Sequence, residues 1–141
     1  MEGHLMLLSH DARDGRWLGG QVFYVVVEEG YLHMFSGANR QALQVSVALT
    51  KRHVDVRQVQ TSTLFQLDVF NAVGGSQSFV FLASNAQSME RWMRYLRQWQ
   101  RFYFADPVAV DALPEDAQTL HLLVKHAHLA DTVAFQRRRI W

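Results

Sequence analysis

Cysteine is absent from this chain. That excludes disulfides and thiolate metal sites and is compatible with a reducing compartment. Proline occurs only at Pro107 and Pro114, where it punctuates helical patterns near the C-terminal end. No long hydrophobic run exists. The longest strongly apolar stretch, Val22 to Val27, is far too short to cross a bilayer, so any membrane role is expected to be peripheral. The start, Met1-Glu2-Gly3-His4, shows no basic segment followed by an apolar one, so no secretory signal is expected. Glu2 stands where N-myristoylation needs glycine. An excess of one charge is lacking too: the net charge is +1, which gives no strong field for polyanions.

The 141 residues are 49% hydrophobic and 19% charged, with nine Phe and four Trp. This suits one soluble domain with an aromatic core plus an appendage. Charge is unevenly placed. Residues 1–88 carry a net −1, residues 89–101 +3, residues 102–136 −4, and Arg137, Arg138 and Arg139 restore +3.

Short apolar runs, alternating in most cases but poorly so over Leu5-Met6-Leu7-Leu8, succeed one another at turn spacing. They cover His4 to Ser9, Gln21 to Glu28, Tyr31 to Phe35, Gln44 to Leu49, Val54 to Gln58, Leu64 to Phe70 and Gln77 to Leu82. Glu28-Glu29-Gly30, Ser36-Gly37-Ala38-Asn39 and Gly74-Gly75 read as turns. Seven strands so spaced predict an antiparallel barrel or sandwich. The period then changes. Ser84 with Gln87 forms a capping box. Met89, Trp92, Met93, Leu96, Trp99 and Tyr103 follow at helical steps, predicting an amphipathic helix to about Tyr103. A linker over 106–113 and a helical extension over 114–141 follow the domain of residues 1–105. In the extension Ala117, Leu120, Leu123, Val124, Ala127, Ala130 and Ala134 form one apolar stripe. Leu122, Leu129 and Val133 form a second, a candidate surface for a partner or for a homodimer.

The strand order and local patterns resemble a pleckstrin homology (PH) domain over about residues 1–104. Glu2-Gly3-His4-Leu5 resembles the family's opening element. Arg16-Trp17 before Val22-Phe23-Tyr24-Val25-Val26 resembles its second strand. Gly30-Tyr31-Leu32-His33-Met34-Phe35 resembles its third. Phe65-Gln66-Leu67, Phe79-Val80-Phe81-Leu82-Ala83-Ser84 and Trp92 complete the series. The resemblance implies a mostly β fold with α: a seven-stranded barrel or sandwich capped by one helix, acting as a non-catalytic binding module. Its phosphoinositide-binding members share a Lys near the end of the first strand and two basic residues opening the second. Here those positions fall near Met6 to Leu8 and Leu18 to Val22, none of them basic. High-affinity headgroup binding at the usual site is therefore not expected.

Several clusters remain as candidates. Arg91, Arg94, Arg97 and Arg101 share one predicted helix face, either as a solvated surface or as a dock for an acidic partner, since Arg binds carboxylates bidentately, or for anionic lipid lying along the helix. Arg13 and Arg16 in the first loop, and Lys51, Arg52 and Arg57 near a strand connection, could hold anionic lipid weakly. Seven His are present, but His121 and His128 are two turns apart rather than one and lack an acid or thiol to complete a metal set. There is no nucleophile elbow, no phosphate-cradling loop and no metal-spaced triad. Neither an enzyme, a cofactor nor nucleic-acid binding is expected. The leading expectation is protein–protein scaffolding or targeting in the cytoplasm, at a membrane or cytoskeletal surface, with weak anionic-lipid binding as the alternative.

Overall fold

The turn between the second and third strands shows how local chemistry sets the register. Glu29 (φ 50°) and Gly30 (φ 78°) both lie in the left-handed region, the two-residue hairpin geometry whose twist matches that of the flanking strands. Glu28 consequently pairs with Tyr31. Every apolar residue two positions away then falls on the same face.

A computed structural model describes residues 1–10, 17–40, 42–59, 63–111 and 115–124. Seven strands form one antiparallel sheet: β1 (Glu2–His10), β2 (Trp17–Glu28), β3 (Tyr31–Phe35), β4 (Leu43–Ala48), β5 (His53–Val59), β6 (Leu64–Phe70) and β7 (Ser76–Leu82). Their order is β4-β3-β2-β1-β7-β6-β5. The ladder carries one inner row of apolar pairs: Leu5 with Phe23, Val27 with Leu32, Leu32 with Val47, Val56 with Leu67, and Phe65 with Phe81. These side chains are buried in a single cluster. The Phe65 and Phe81 rings lie 5.6 Å apart.

Helix α1 (Ala86–Arg97) lies across β5 and β6 and inserts Met89, Trp92, Met93 and Leu96 into that cluster. Its cap is Asn85, whose side chain accepts from the Ser88 amide at 2.8 Å, one residue later than the expected Ser84. Both residues are good caps; a tertiary contact decides between them. The Ser84 hydroxyl instead donates to Asp116 Oδ1 at 3.3 Å. α1 also ends earlier than Tyr103. It gives way at Gln98 to a 3₁₀ turn, Trp99–Phe102, which still buries Trp99.

β7 reaches β1 only at Met6, Leu7 and Leu8, leaving the first residues of β1 without that neighbour. Residues 108–111 take the place. The Glu2 amide donates to Val108 O at 3.0 Å, and the Val110 amide donates to Glu2 O at 2.7 Å. Asp111 Oδ2 accepts from the His4 amide at 2.9 Å, and Val110 is buried in the main core. Residues 115–124 are helical. Leu120 is fully buried there, and Asp116 is held by Ser84, so this helix lies against the barrel. Leu123, expected on the buried stripe, is 40% exposed. Inward burial narrows to Leu120, flanked by half-buried Ala117 and Val124.

Candidate docking cleft

The last turn of α1 carries Arg94 and Arg97, and cations suit the negative end of a helix dipole. The two side chains then diverge. Arg97 donates from Nε and Nη2 to Val56 O on β5, at 3.2 and 2.9 Å. Arg91 and Arg94 point elsewhere, to the rim of a cleft of about 240 Å³ between α1 and the chain returning toward β1. Met1 and Val110, both buried, are among its lining residues. Tyr95, Phe102 and Val108 supply its apolar walls, and Asp106 joins the rim.

The 3₁₀ turn builds this wall. By tightening the chain after Arg97 it stacks Phe102 on Tyr95, with centroids 4.6 Å apart and planes 17° apart. Burial pushes the Tyr95 phenol up, and its hydroxyl, like any tyrosine's at neutral pH, can donate. The Met1 amine donates to Val27 O at 3.0 Å. Burial, opposed by Glu2 and Glu28, lowers its pKa to about 6, so at neutral pH it adds little positive charge to the floor. Among the described residues no carboxylate lies within ion-pair distance of Arg91 or Arg94. Arg40, by contrast, is held by Glu2 and Glu28. Next to the cleft Phe104 is 95% exposed and Val108 63%. The site therefore offers an apolar floor, two uncommitted guanidinium groups and one carboxylate.

Of the helix arginines singled out in the sequence, Arg91 and Arg94 come together at this rim. Arg101 is exposed on the 3₁₀ turn, and Arg97 is committed to β5. The helical period places all four on the outer side, but it carries no information about the β5 carbonyl. Leu122 is 55% exposed on the second helix. Its expected companions Leu129 and Val133 lie outside the described residues, as do Arg13 and Arg16. Lys51 and Arg52 sit in the β4–β5 turn, where Lys51 has φ 59° and the Arg52 amide donates to Leu49 O at 3.2 Å. Arg57 is on β5 opposite Gln66, where its charge acts on Asp68. The aromatic walls of the cleft were not assigned to a site from sequence. The close spacing of Tyr95, Phe102, Tyr103 and Phe104 was the available signal. Among the described residues no group of three or more metal-ligating side chains forms.

Neither β1 nor β2 contains a Lys or Arg. Met6 faces Val22 and Leu8 faces Gly20 across the ladder. A Cβ on Gly20 would meet both Met6 and Leu8 side chains, so apolar side chains fill this part of the hairpin.

The chain is similar to a structure of sifa and skip, with 20% identity over 70% of this chain and 94% of that one, at a TM-score of 0.53. It is also similar to the C-terminal PH domain of pleckstrin in complex with D-myo-Ins(1,2,3,4,5)P5. There the identity is 20%, over 70% of this chain and 94% of that one, at a TM-score of 0.47. The carboxyl-terminal PH domain of pleckstrin matches at 20% identity and the same TM-score of 0.47, over 70% and 93% of the two chains. No curated protein matches the sequence. PH domains are generally non-catalytic modules that mediate protein or lipid interactions. The PH domain family model matches residues 1–101, and the chain belongs to that family.

Proposed function

We propose that this PH domain is a non-catalytic docking module for a protein partner, engaged through the cleft edged by Arg91 and Arg94. The observation that carries this reading is a concave apolar site bordered by two arginines that no described carboxylate neutralises. Arginines left with water on an open face contribute little. Beside an apolar recess, their planar forks suit carboxylates of a partner whose side chain fills the recess.

Anionic lipid is the weaker reading. β1 and β2 offer no cation for a headgroup. Lys51, Arg52 and Arg57 lie on a turn and a strand rather than around one recess.

The test compares wild type with the Arg91→Glu/Arg94→Glu chain. Proteins cross-linked to wild type in cell extract are expected to be lost from the variant, which stays folded with a melting midpoint only slightly lowered by the reversed charge in the last turn of α1. Neither chain is expected to float with vesicles of phosphatidylcholine and phosphatidylserine, with or without phosphoinositide, at physiological salt. Submicromolar vesicle binding, or capture indifferent to the two reversals, would overturn the proposal.

A further inference from the structure

Resting on that protein-docking reading, we infer that the cleft selects a short peptide in which an acidic residue stands beside a large apolar one. The acid lies against Arg91 and Arg94, and the apolar side chain lies between Tyr95, Phe102 and Val108.

Size is the first argument. A cleft of about 240 Å³ falls below the roughly 300–1,000 Å³ of pockets that enclose a drug-sized ligand. It holds one large side chain. Met1 and Val110 in its lining are apolar and buried, which favours an apolar side chain there.

Charge complementarity is the second. Arg91 and Arg94 are three residues apart on α1 and therefore neighbours on its surface. Two adjacent forks can receive one carboxylate from both sides or two successive acids. Asp106 also lines the cleft, and an acid beside it would be repelled, whereas a peptide N–H or a basic side chain would be accepted. The Tyr95 hydroxyl adds a donor and no charge.

Shape is the third. This site is a recess, and a recess is filled by a side chain.

The probe is the hexapeptide amide Ser-Asp-Glu-Leu-Phe-Lys, titrated into the 15N-labelled full chain. Two controls replace Asp-Glu by Asn-Gln or Leu-Phe by Ser-Ser. Shifts are expected to cluster at Arg91, Arg94, Tyr95, Phe102 and Val108, with each control about tenfold weaker. In the Arg91→Gln/Arg94→Gln chain the acid and amide peptides should bind alike, both weakly. Equal binding of acid and amide peptides to wild type would overturn the inference. So would shifts centred elsewhere, or none up to about 5 mM peptide, an affinity of roughly 3 kcal/mol. Displacement of the peptide by phosphatidylserine vesicles would assign the arginines to lipid and overturn it too. If the peptides fail while the charge reversal still abolishes cross-linked capture, the docking site stands and only the peptide preference falls. If both fail, the docking site falls as well.

Discussion

Arg97 donates two hydrogen bonds to the one carbonyl of Val56, 41 residues earlier in the chain. This contact joins α1 to β5, an end strand of the sheet, and satisfies a carbonyl there. Arg97 should therefore behave differently from its neighbours on α1. Arg97→Ala is expected to cost about 1 kcal/mol, the scale of a charge-assisted bond discounted for partial exposure. Arg91→Ala and Arg94→Ala should stay within about 0.5 kcal/mol. Urea denaturation of the three variants checks this, and equal losses would count against distinct roles for them.

Gly30 has a second constraint besides its φ of 78°. A Cβ there would be driven into the Thr50 hydroxyl and the Tyr103 ring. The Gly30 carbonyl also accepts from the Leu49 amide at 2.8 Å. Gly30→Ala combines left-handed strain of about 1–3 kcal/mol with a steric clash, so a loss of at least about 2 kcal/mol is expected. A thermal midpoint lowered by less than a few degrees would show that the turn relaxes easily.

The segment after the 3₁₀ turn should count toward the stability of the domain. Val110 is 2% exposed in the core, and the Asp111 carboxylate accepts from the His4 amide and lies 2.5 Å from His4 Nδ1. Val110→Ala is expected to cost about 2 kcal/mol by lost burial and a residual cavity. Asp111→Ala should cost about 1 kcal/mol and speed exchange of the His4 amide hydrogen. Unchanged exchange at His4 would mean that β1 does not need this closure.

These contacts mark where the sequence was informative and where it was not. Alternation of small apolar runs is a local signal, and with turn spacing it located all seven strands, although β2 begins at Trp17, four residues before the expected Gln21. The 3.6-residue period likewise placed Trp92 in the core. The cap and the arginines depend on distant partners. Ser84 and Asn85 are chemically interchangeable until Asp116, 32 residues away, takes the Ser84 hydroxyl. Arg97 looks like Arg91 until Val56 lies under it. Residues 108–111 pair with β1 through a single parallel bridge, too short to leave any periodicity. The cleft is a product of that returning segment and of the tightened turn, so only its arginines were legible beforehand.

Asp68 supplies the pH dependence. Burial alone would push its carboxyl up. Hydrogen bonds from Gln66 Nε2 at 2.9 Å and Ser78 Oγ at 2.6 Å, with the Arg57 charge nearby, prevail and hold it below the usual 3.8. A depressed folded pKa means that the unfolded chain binds this proton first as pH falls. The stabilising contribution is therefore complete above the unfolded value and is lost as pH drops through the folded one. Wild type should lose stability on acidification from about pH 4 downward by more than Asp68→Asn does. The variant keeps an oxygen acceptor but cannot titrate. Midpoints in urea at several pH values for both chains give the test. Parallel pH profiles would show that Asp68 titrates alike in the folded and unfolded chains, and that the Gln66 and Ser78 bonds do not favour its ionised form.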